Sequence, residues 1–134
     1  MNNQTSPLPA AKSPRRPIVS RRFVALLLGM VGLFVFFFLG EGPGDWAGYI
    51  GAGFYCLIAQ YFLSRGHPQA LRSDWPLILH LNFMVLLIAV ICLTFASGAG
   101  GKLPALGLAA VTLACSYAGA ALAALIARIR TPAV

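Results

Sequence analysis

Two polar side chains that could carry chemistry interrupt an apolar stretch of this chain. His80 and Asn82 lie within WPLILHLNFMVLL, residues 75–87. A histidine in such a setting could relay protons or act as an axial ligand to haem or chlorophyll. An asparagine there could join two helices through a hydrogen bond. Because the two residues are separated by about 200° around a helix, they lie on different faces.

The face that holds Asn82 is predicted to point into a helix bundle. It continues at helical spacing through residues that are mostly small, namely Val85, Ala89, Cys92 and Ala96. Counting residues from the predicted span ends argues against the hydroxyls of Thr112 and Ser116 as partners of the amide, because they lie nearer the midplane. Partners at a better matched depth are Gln60, Ala120 and Ala124.

The face that holds His80 is bulky and could meet lipid, a bound pigment or a partner protein. It continues through Met84, Leu87 and Ile91. Gln60 has a similar predicted depth, so we expect a hydrogen bond between Gln60 and His80. The full set of expected interhelical polar contacts is Gln60, His80, Asn82, Ser116 and Tyr117.

Three cysteines lie within apolar stretches at different predicted depths. Cys56, Cys92 and Cys115 therefore do not have the closeness that a disulfide or a metal site requires. We expect them to be packing residues. His80 is the only histidine within an apolar stretch, so one copy of the chain cannot provide two histidine ligands to a haem. No metal site or catalytic constellation is predicted.

The elements that position these residues are four long apolar runs. With 59% hydrophobic and 10% charged residues, the chain departs strongly from soluble composition. The runs cover residues 23–40, 47–64, 75–97 and 104–127 and approach the length that a membrane-crossing helix needs. They are continuous rather than alternating, which argues against a β-barrel. The prediction is an all-α integral membrane protein, a single four-transmembrane-helix bundle over residues 23–130.

The basic residues predict the orientation of this bundle. Nine of the ten lysines and arginines lie before the first run, between the second and third, or after the fourth, and only Lys102 lies at the other end. This asymmetry places both termini in the cytoplasm, in a bacterial cytoplasmic membrane. Residues 1–22 are expected to form a disordered basic tail that attracts anionic headgroups, and residues 131–134 a short C-terminal tail. Nucleic-acid binding is not expected.

Turn-forming segments predict two antiparallel hairpins. GEGPGDW joins the first two runs, and SGAGGK joins the last two, with Pro104 expected in the first turn of its helix. Ser73 and Asp74 are expected to cap the third helix. Since the link between the second and third helices is short, these two helices are expected to be neighbours.

Small residues on the fourth run predict that its helix is touched on two sides. One packing seam comprises Ala105, Ala109, Thr112, Ser116, Gly119 and Ala123. A neighbouring seam comprises Ala110, Ala114, Tyr117, Ala121 and Ala124. In lipid, such residues allow helix backbones to approach closely.

Two families share part of this plan. The basic tail, four runs and DWAGYIGAG resemble the small accessory protein I of bacterial ATP synthase operons, but LILHLNFMV lacks that family's Gly-Glu and Lys pattern. RRFVALL with AQYFLSR resembles the GtrA-like lipid-linked sugar translocases, but LAALIARIR lacks their aromatic and basic ending. No family is assigned on these motifs.

The functional expectation follows from small size, the seams and the absence of charged residues deep in any run. It is a non-enzymatic accessory or assembly subunit of a larger membrane complex, with other membrane subunits or a second copy as partners. The alternative is a small homo-oligomeric transporter or channel for a neutral or lipidic substrate. A third reading is a pigment- or haem-binding subunit that uses His80.

Overall fold

The protein is helical throughout the residues that the computed structural model describes, which are 19–40, 46–95 and 98–131. The helices are α1 (Arg21–Leu39), α2 (Trp46–Ser64), α3 (Ala70–Ser73), α4 (Trp75–Phe95) and α5 (Ala99–Arg130). The all-α prediction is confirmed within these ranges. Most of the predicted N-terminal tail, most of the loop GEGPGDW and most of the C-terminal tail lie outside the described residues, whereas only Ser97 of the loop SGAGGK does.

Among the described residues, three helices are long and apolar enough to cross a membrane. They are Arg21–Leu39, Trp75–Phe95 and Gly101–Arg130. Helix α2 has 19 residues, as α1 does, but it is not in this set, because its glycines, tyrosines and Gln60 lower its hydropathy.

The helix ends follow local sequence signals, with one difference. The Ser20 hydroxyl accepts a hydrogen bond of 3.2 Å from the Arg22 amide and caps α1. The Asp74 carbonyl accepts the first amide hydrogen bonds of α4. Helix α5 starts at Ala99, so Pro104 lies inside the helix rather than in its first turn. Glycines at 100 and 101 do not stop the helix, and Pro104 removes only one backbone hydrogen bond, close to the helix start.

The four long helices form a ring in the order α1, α2, α5, α4. Helix α2 has its most extensive contacts with α5, and α1 has its most extensive contacts with α4. Helices α2 and α4 lie on a diagonal and meet little, so the expected side-by-side arrangement of these two helices was wrong. The short helix α3 carries the chain across this diagonal and packs against α5, where Ala70 is fully buried.

The ring contains two parallel helix pairs. At the start of α1, an Arg21 guanidinium nitrogen lies 3.5 Å from a carboxylate oxygen of Asp74, which directly precedes α4. The Tyr49 hydroxyl in the first turn of α2 donates a hydrogen bond of 3.1 Å to the Pro104 carbonyl near the start of α5. We refer to the two ends of the bundle as the Arg21 end and the Lys102 end.

A glycine allows each parallel pair to approach closely. A Cβ atom at Gly29 of α1 would overlap the Leu81 carbonyl of α4. A Cβ atom at Gly119 of α5 would overlap the Leu57 carbonyl of α2. Backbone is therefore in contact with backbone at both crossings, as small-residue packing between membrane helices requires.

Candidate functional site

Polar side chains lie along the axis of the bundle where the helices meet. Each of these side chains is at most 1% exposed. The set comprises Gln60, Ser64, Asn82, Thr112 and Ser116. Helix α2 contributes the two nearest the Arg21 end, α4 contributes the asparagine, and α5 contributes the two hydroxyls nearest the Lys102 end. Toward the Lys102 end the core becomes apolar, with Ala52, Val85 and Leu108 in one cluster.

The junction between α4 and α5 is built on Asn82. Its side-chain nitrogen donates hydrogen bonds of 2.9 Å to the Ser116 hydroxyl and 2.9 Å to the Ile78 carbonyl. Since a carbonyl only accepts, this pair of contacts fixes which end of the amide is nitrogen. The Ser116 hydroxyl in turn donates a hydrogen bond of 2.7 Å to the Thr112 carbonyl.

Ser116 is thus the partner of Asn82, although depth counting argued against it. Asn82 lies seven residues from the start of α4, whereas Ser116 lies fourteen residues from the end of α5. Helix α5 therefore projects roughly 10 Å beyond the start of α4 at the Arg21 end, at 1.5 Å per residue. Depths counted from the ends of the apolar runs ignore this overhang, against which α3 packs.

Gln60 and His80 are not brought together. The Gln60 side-chain nitrogen donates a hydrogen bond of 2.8 Å to the Ser64 hydroxyl, one turn away on the same helix. His80 Nδ1 lies 2.6 Å from the Pro76 carbonyl, also on its own helix. Because α2 and α4 lie on a diagonal of the ring, an outward-facing residue of α4 cannot reach the α2 residues that line the axis.

The hydrogen-bond network leaves three buried polar atoms without a partner among the described residues. They are the Tyr55 hydroxyl, Gln60 Oε1 and Asn82 Oδ1. A buried polar atom that forms no hydrogen bond costs about 1–3 kcal/mol of stability. Each of the two amides therefore contributes less to the stability of the bundle than a fully paired amide would.

Charged residues form a second cluster at the Arg21 end, which sequence analysis did not find. The Arg21 guanidinium donates to the Leu63 carbonyl at the end of α2 and forms an ion pair with Asp74 at the start of α4. The Ser73 hydroxyl donates a hydrogen bond of 3.2 Å to the same carboxylate. Asp74 is only 5% exposed. The available signal was that Asp74 is the only acidic residue on the basic side of the predicted topology.

The cysteines are all free, and only Cys56 is buried. Cys115 packs against Gly53, where a Cβ atom would lie 3.0 Å from its sulfur. Within the described ranges, no group of three histidine, cysteine or acidic side chains could hold a metal ion.

The two predicted seams of α5 have different surroundings. The first seam faces the bundle, with Thr112, Ser116 and Gly119 buried and Ala105 half-buried. Most of the second seam lies on the outer surface, where Ala110, Ala114 and Tyr117 are exposed.

The arrangement offers hydrogen bonds between helices rather than a reactive centre. The amides and hydroxyls on the axis are engaged mainly with one another or with backbone carbonyls. No protein-family model, no curated protein sequence and no solved structure matches this chain.

Proposed function

We propose that this protein is a non-enzymatic accessory or assembly subunit of a larger complex in the bacterial cytoplasmic membrane, and that it contacts its partner through the outer face of α5. The observation that carries the proposal is a strip of small residues that the bundle leaves uncovered. The strip consists of Ala110, Ala114 and Ala118, which are spaced by four residues and are all exposed. Tyr117 lies beside it and is 44% exposed.

The proposal includes four membrane crossings. Helix α2 is as long as α1 and lies between α1 and α5 in the ring. At the Lys102 end, α2 is level with α5, because the Tyr49 hydroxyl bonds to the Pro104 carbonyl. At the Arg21 end, α2 is level with α1, because the Leu63 carbonyl accepts from Arg21. If α1 and α5 cross the bilayer, α2 crosses with them, and its less apolar residues are tolerated because neighbouring helices cover them.

The orientation is proposed from the charge at the two ends of the bundle. Basic residues at the Arg21 end include Arg22, Arg65, Arg72, Arg128 and Arg130. The opposite end has Lys102. By the distribution of lysine and arginine in short connections, the Arg21 end and both termini are cytoplasmic.

The outer strip differs from the rest of the outer surface. On the other helices the exposed face is bulky, for example Phe38 on α1, Phe54 on α2 and Val90 on α4. Bulky side chains suit lipid, whereas small ones expose the backbone to a second helix. The inner seam of the same helix already uses this chemistry, because Gly119 lets α5 touch the backbone of α2. The outer strip offers the same kind of small-residue surface to a helix outside the bundle.

The experiment is extraction of the tagged protein from its own host in mild detergent, followed by native mass measurement. We expect stoichiometric foreign membrane subunits with the unaltered chain and their loss with Ala114→Leu or Ala118→Leu. Val90→Phe adds a comparable amount of hydrocarbon on an exposed face of α4 and serves as the matched control. Each variant is checked for helical content and unfolding midpoint.

Two results contradict the proposal. One is recovery of a single copy without partners from native membranes. The other is retention of the partners by both Ala114→Leu and Ala118→Leu. Recovery as a homo-oligomer instead favours the transporter alternative, in which Asn82, Gln60, Tyr55 and Tyr117 line a path.

One observation favours a second candidate, the binding of haem or a chlorophyll-like pigment by His80. Because the Pro76 carbonyl can only accept, His80 Nδ1 carries the hydrogen in this contact, and Nε2 of the neutral ring is left as the possible ligand atom. His80 is half-buried on the outward side of α4, where an external group could reach it. Purified protein with a visible absorption band that His80→Ala abolishes supports this candidate, and a colourless preparation with native cofactors supplied rejects it.

A further inference from the structure

A groove opens between α1 and α4 in the half of the bundle nearest Lys102. Its volume is about 370 Å³. Helix α5 forms its floor, because α1 and α5 lie on a diagonal of the ring and do not close upon each other there. The main side chains that line it are Leu33, Phe36, Phe37, Ile88, Cys92 and Leu108.

The walls of the groove are held in place by packing outside it. The Phe36 ring lies edge-to-face against Tyr49, with ring centres 5.4 Å apart. Tyr49 is held by its hydrogen bond to the Pro104 carbonyl. The small residues Gly101 and Ala105 leave space above the floor of the groove.

The lining selects hydrocarbon as the occupant. Every side chain that faces the groove is apolar or a thiol, so nothing in it can satisfy a polar ligand. From Gly40 to Leu33 the groove follows α1 for about 10 Å, at 1.5 Å per residue. An apolar groove that runs along a helix of the bundle is suited to a segment of a hydrocarbon chain lying parallel to that helix.

The charge at the end of the groove indicates which lipid. Lys102 follows Gly101 of the lining directly, and among the described residues it is the only basic one at this end of the bundle. Among the residues that the structure describes, it takes part in no ion pair, the one such pair being Arg21 with Asp74. Lys102 is not part of the lining, but its long side chain starts one residue from Gly101 and can reach this end of the groove. An ammonium group there is complementary to a phosphate attached to a hydrocarbon chain.

We propose that the groove holds one hydrocarbon chain of an anionic phospholipid whose phosphate lies against the Lys102 ammonium. This inference is independent of the proposed docking by α5, because the groove and the outer strip of alanines involve different faces of that helix. Ala105 borders the groove, whereas Ala110 belongs to the outer strip.

The test uses the full chain in nanodiscs of phosphatidylcholine with phosphatidylglycerol that carries a photoreactive diazirine in one acyl chain. After illumination, adducts are mapped by mass spectrometry. We expect adducts concentrated on Leu33, Ile88 and Leu108, and strongly reduced by Ala105→Trp, which fills the groove. Ala110→Trp adds the same bulk outside the groove and should leave these adducts unchanged.

The charge is tested with the same readout. Lys102→Gln should lower groove adducts from phosphatidylglycerol about fivefold, the effect of one basic residue near an anionic surface. Lys102→Arg should restore them, and adducts from a phosphatidylcholine of the same chain should change little.

Three results overturn the proposal. The first is adducts distributed according to exposure, with Phe38 and Val90 labelled as strongly as the groove. The second is no effect of Ala105→Trp or, if that variant does not fold, of Cys92→Phe. The third is an unchanged preference for anionic lipid in Lys102→Gln.

Discussion

The side-chain amide of Asn82 donates a hydrogen bond of 2.9 Å to the hydroxyl of Ser116, and this contact joins α4 to α5 inside the bundle. Both residues are fully buried. The amide also bonds to its own helix through Ile78, so only part of its hydrogen-bonding capacity is used between helices. Its energetic value is therefore expected to be modest.

A double-mutant cycle tests that value. Asn82→Ala, Ser116→Ala and the double variant are compared by reversible unfolding in mixed detergent micelles. We expect a coupling free energy of about 0.6 kcal/mol and no more than about 1.7 kcal/mol, the range for hydrogen bonds between membrane helices. A coupling near zero would show that the two side chains contribute independently.

Replacement of Asn82 by leucine is expected to cost less than replacement by alanine. Leucine fills the same buried volume and removes the unpartnered Oδ1, whereas alanine leaves a cavity. In the same unfolding assay, Asn82→Leu should lie within about 1 kcal/mol of the unaltered chain. An equal loss in both variants would mean that the hydrogen bond, rather than packing, determines stability at this position.

Two glycines of α5 should respond in opposite directions to the same substitution. Gly119→Ala places a Cβ against the Leu57 carbonyl and should destabilise the bundle by about 1–3 kcal/mol. At Gly107 a Cβ would lie 3.5 Å from the Tyr49 ring, an ordinary contact. Gly107→Ala should therefore be neutral or stabilise the helix by up to about 1 kcal/mol. Equal effects in thermal unfolding would contradict the close crossing of α2 and α5.

Arg21 should matter more than Arg22, its neighbour in the sequence. Arg21→Ala removes the hydrogen bond to the Leu63 carbonyl and leaves the buried Asp74 carboxylate without its cation, so we expect a loss of about 1–3 kcal/mol. Arg22→Ala should change stability by about 0.5 kcal/mol or less. Because the Arg21 side chain is 45% exposed, high salt should reduce the difference. Similar losses for the two arginines, measured as unfolding midpoints, would reject the three-helix contact.

The crossing of α2 can be tested by cysteine accessibility in a chain whose native cysteines are replaced by alanine. Gly40→Cys precedes α2, and His67→Cys follows it. In intact cells, a membrane-impermeant maleimide should label the first, while the second should need permeabilised membranes. Labelling of both positions from one side would mean that α2 does not cross.

The positions of the helices could be predicted because each long apolar run corresponds to one helix. Arg21 and Trp75 begin helices at or close to the predicted starts, since charge and turn-forming residues end the runs. The start of α5 was less predictable, because glycines and Pro104 favour a later start when neighbouring helices are unknown.

The partners of the polar side chains could not be predicted, because they depend on ring order and on relative depth. Asn82 was expected to face the bundle from its spacing, and it does, but its bond to Ser116 requires the overhang of α5. Gln60 and His80 have similar predicted depths but belong to helices on a diagonal. Sequence spacing indicates which residues share one face of a helix. A contact between two helices depends also on how each helix is rotated about its axis and how far each is shifted along it.

The parallel pairing has a consequence for synthesis. Helix α1 pairs chiefly with α4, and Arg21 meets a residue 53 positions later in the chain. Helix α2 likewise makes its most extensive contacts with α5, which is synthesised last. If all four long helices cross the bilayer as proposed, the first hairpin enters it with Gly29 still uncovered and stays incompletely packed until the second hairpin has been synthesised. A chain that stops after α4 leaves the α5-facing side of α2 uncovered.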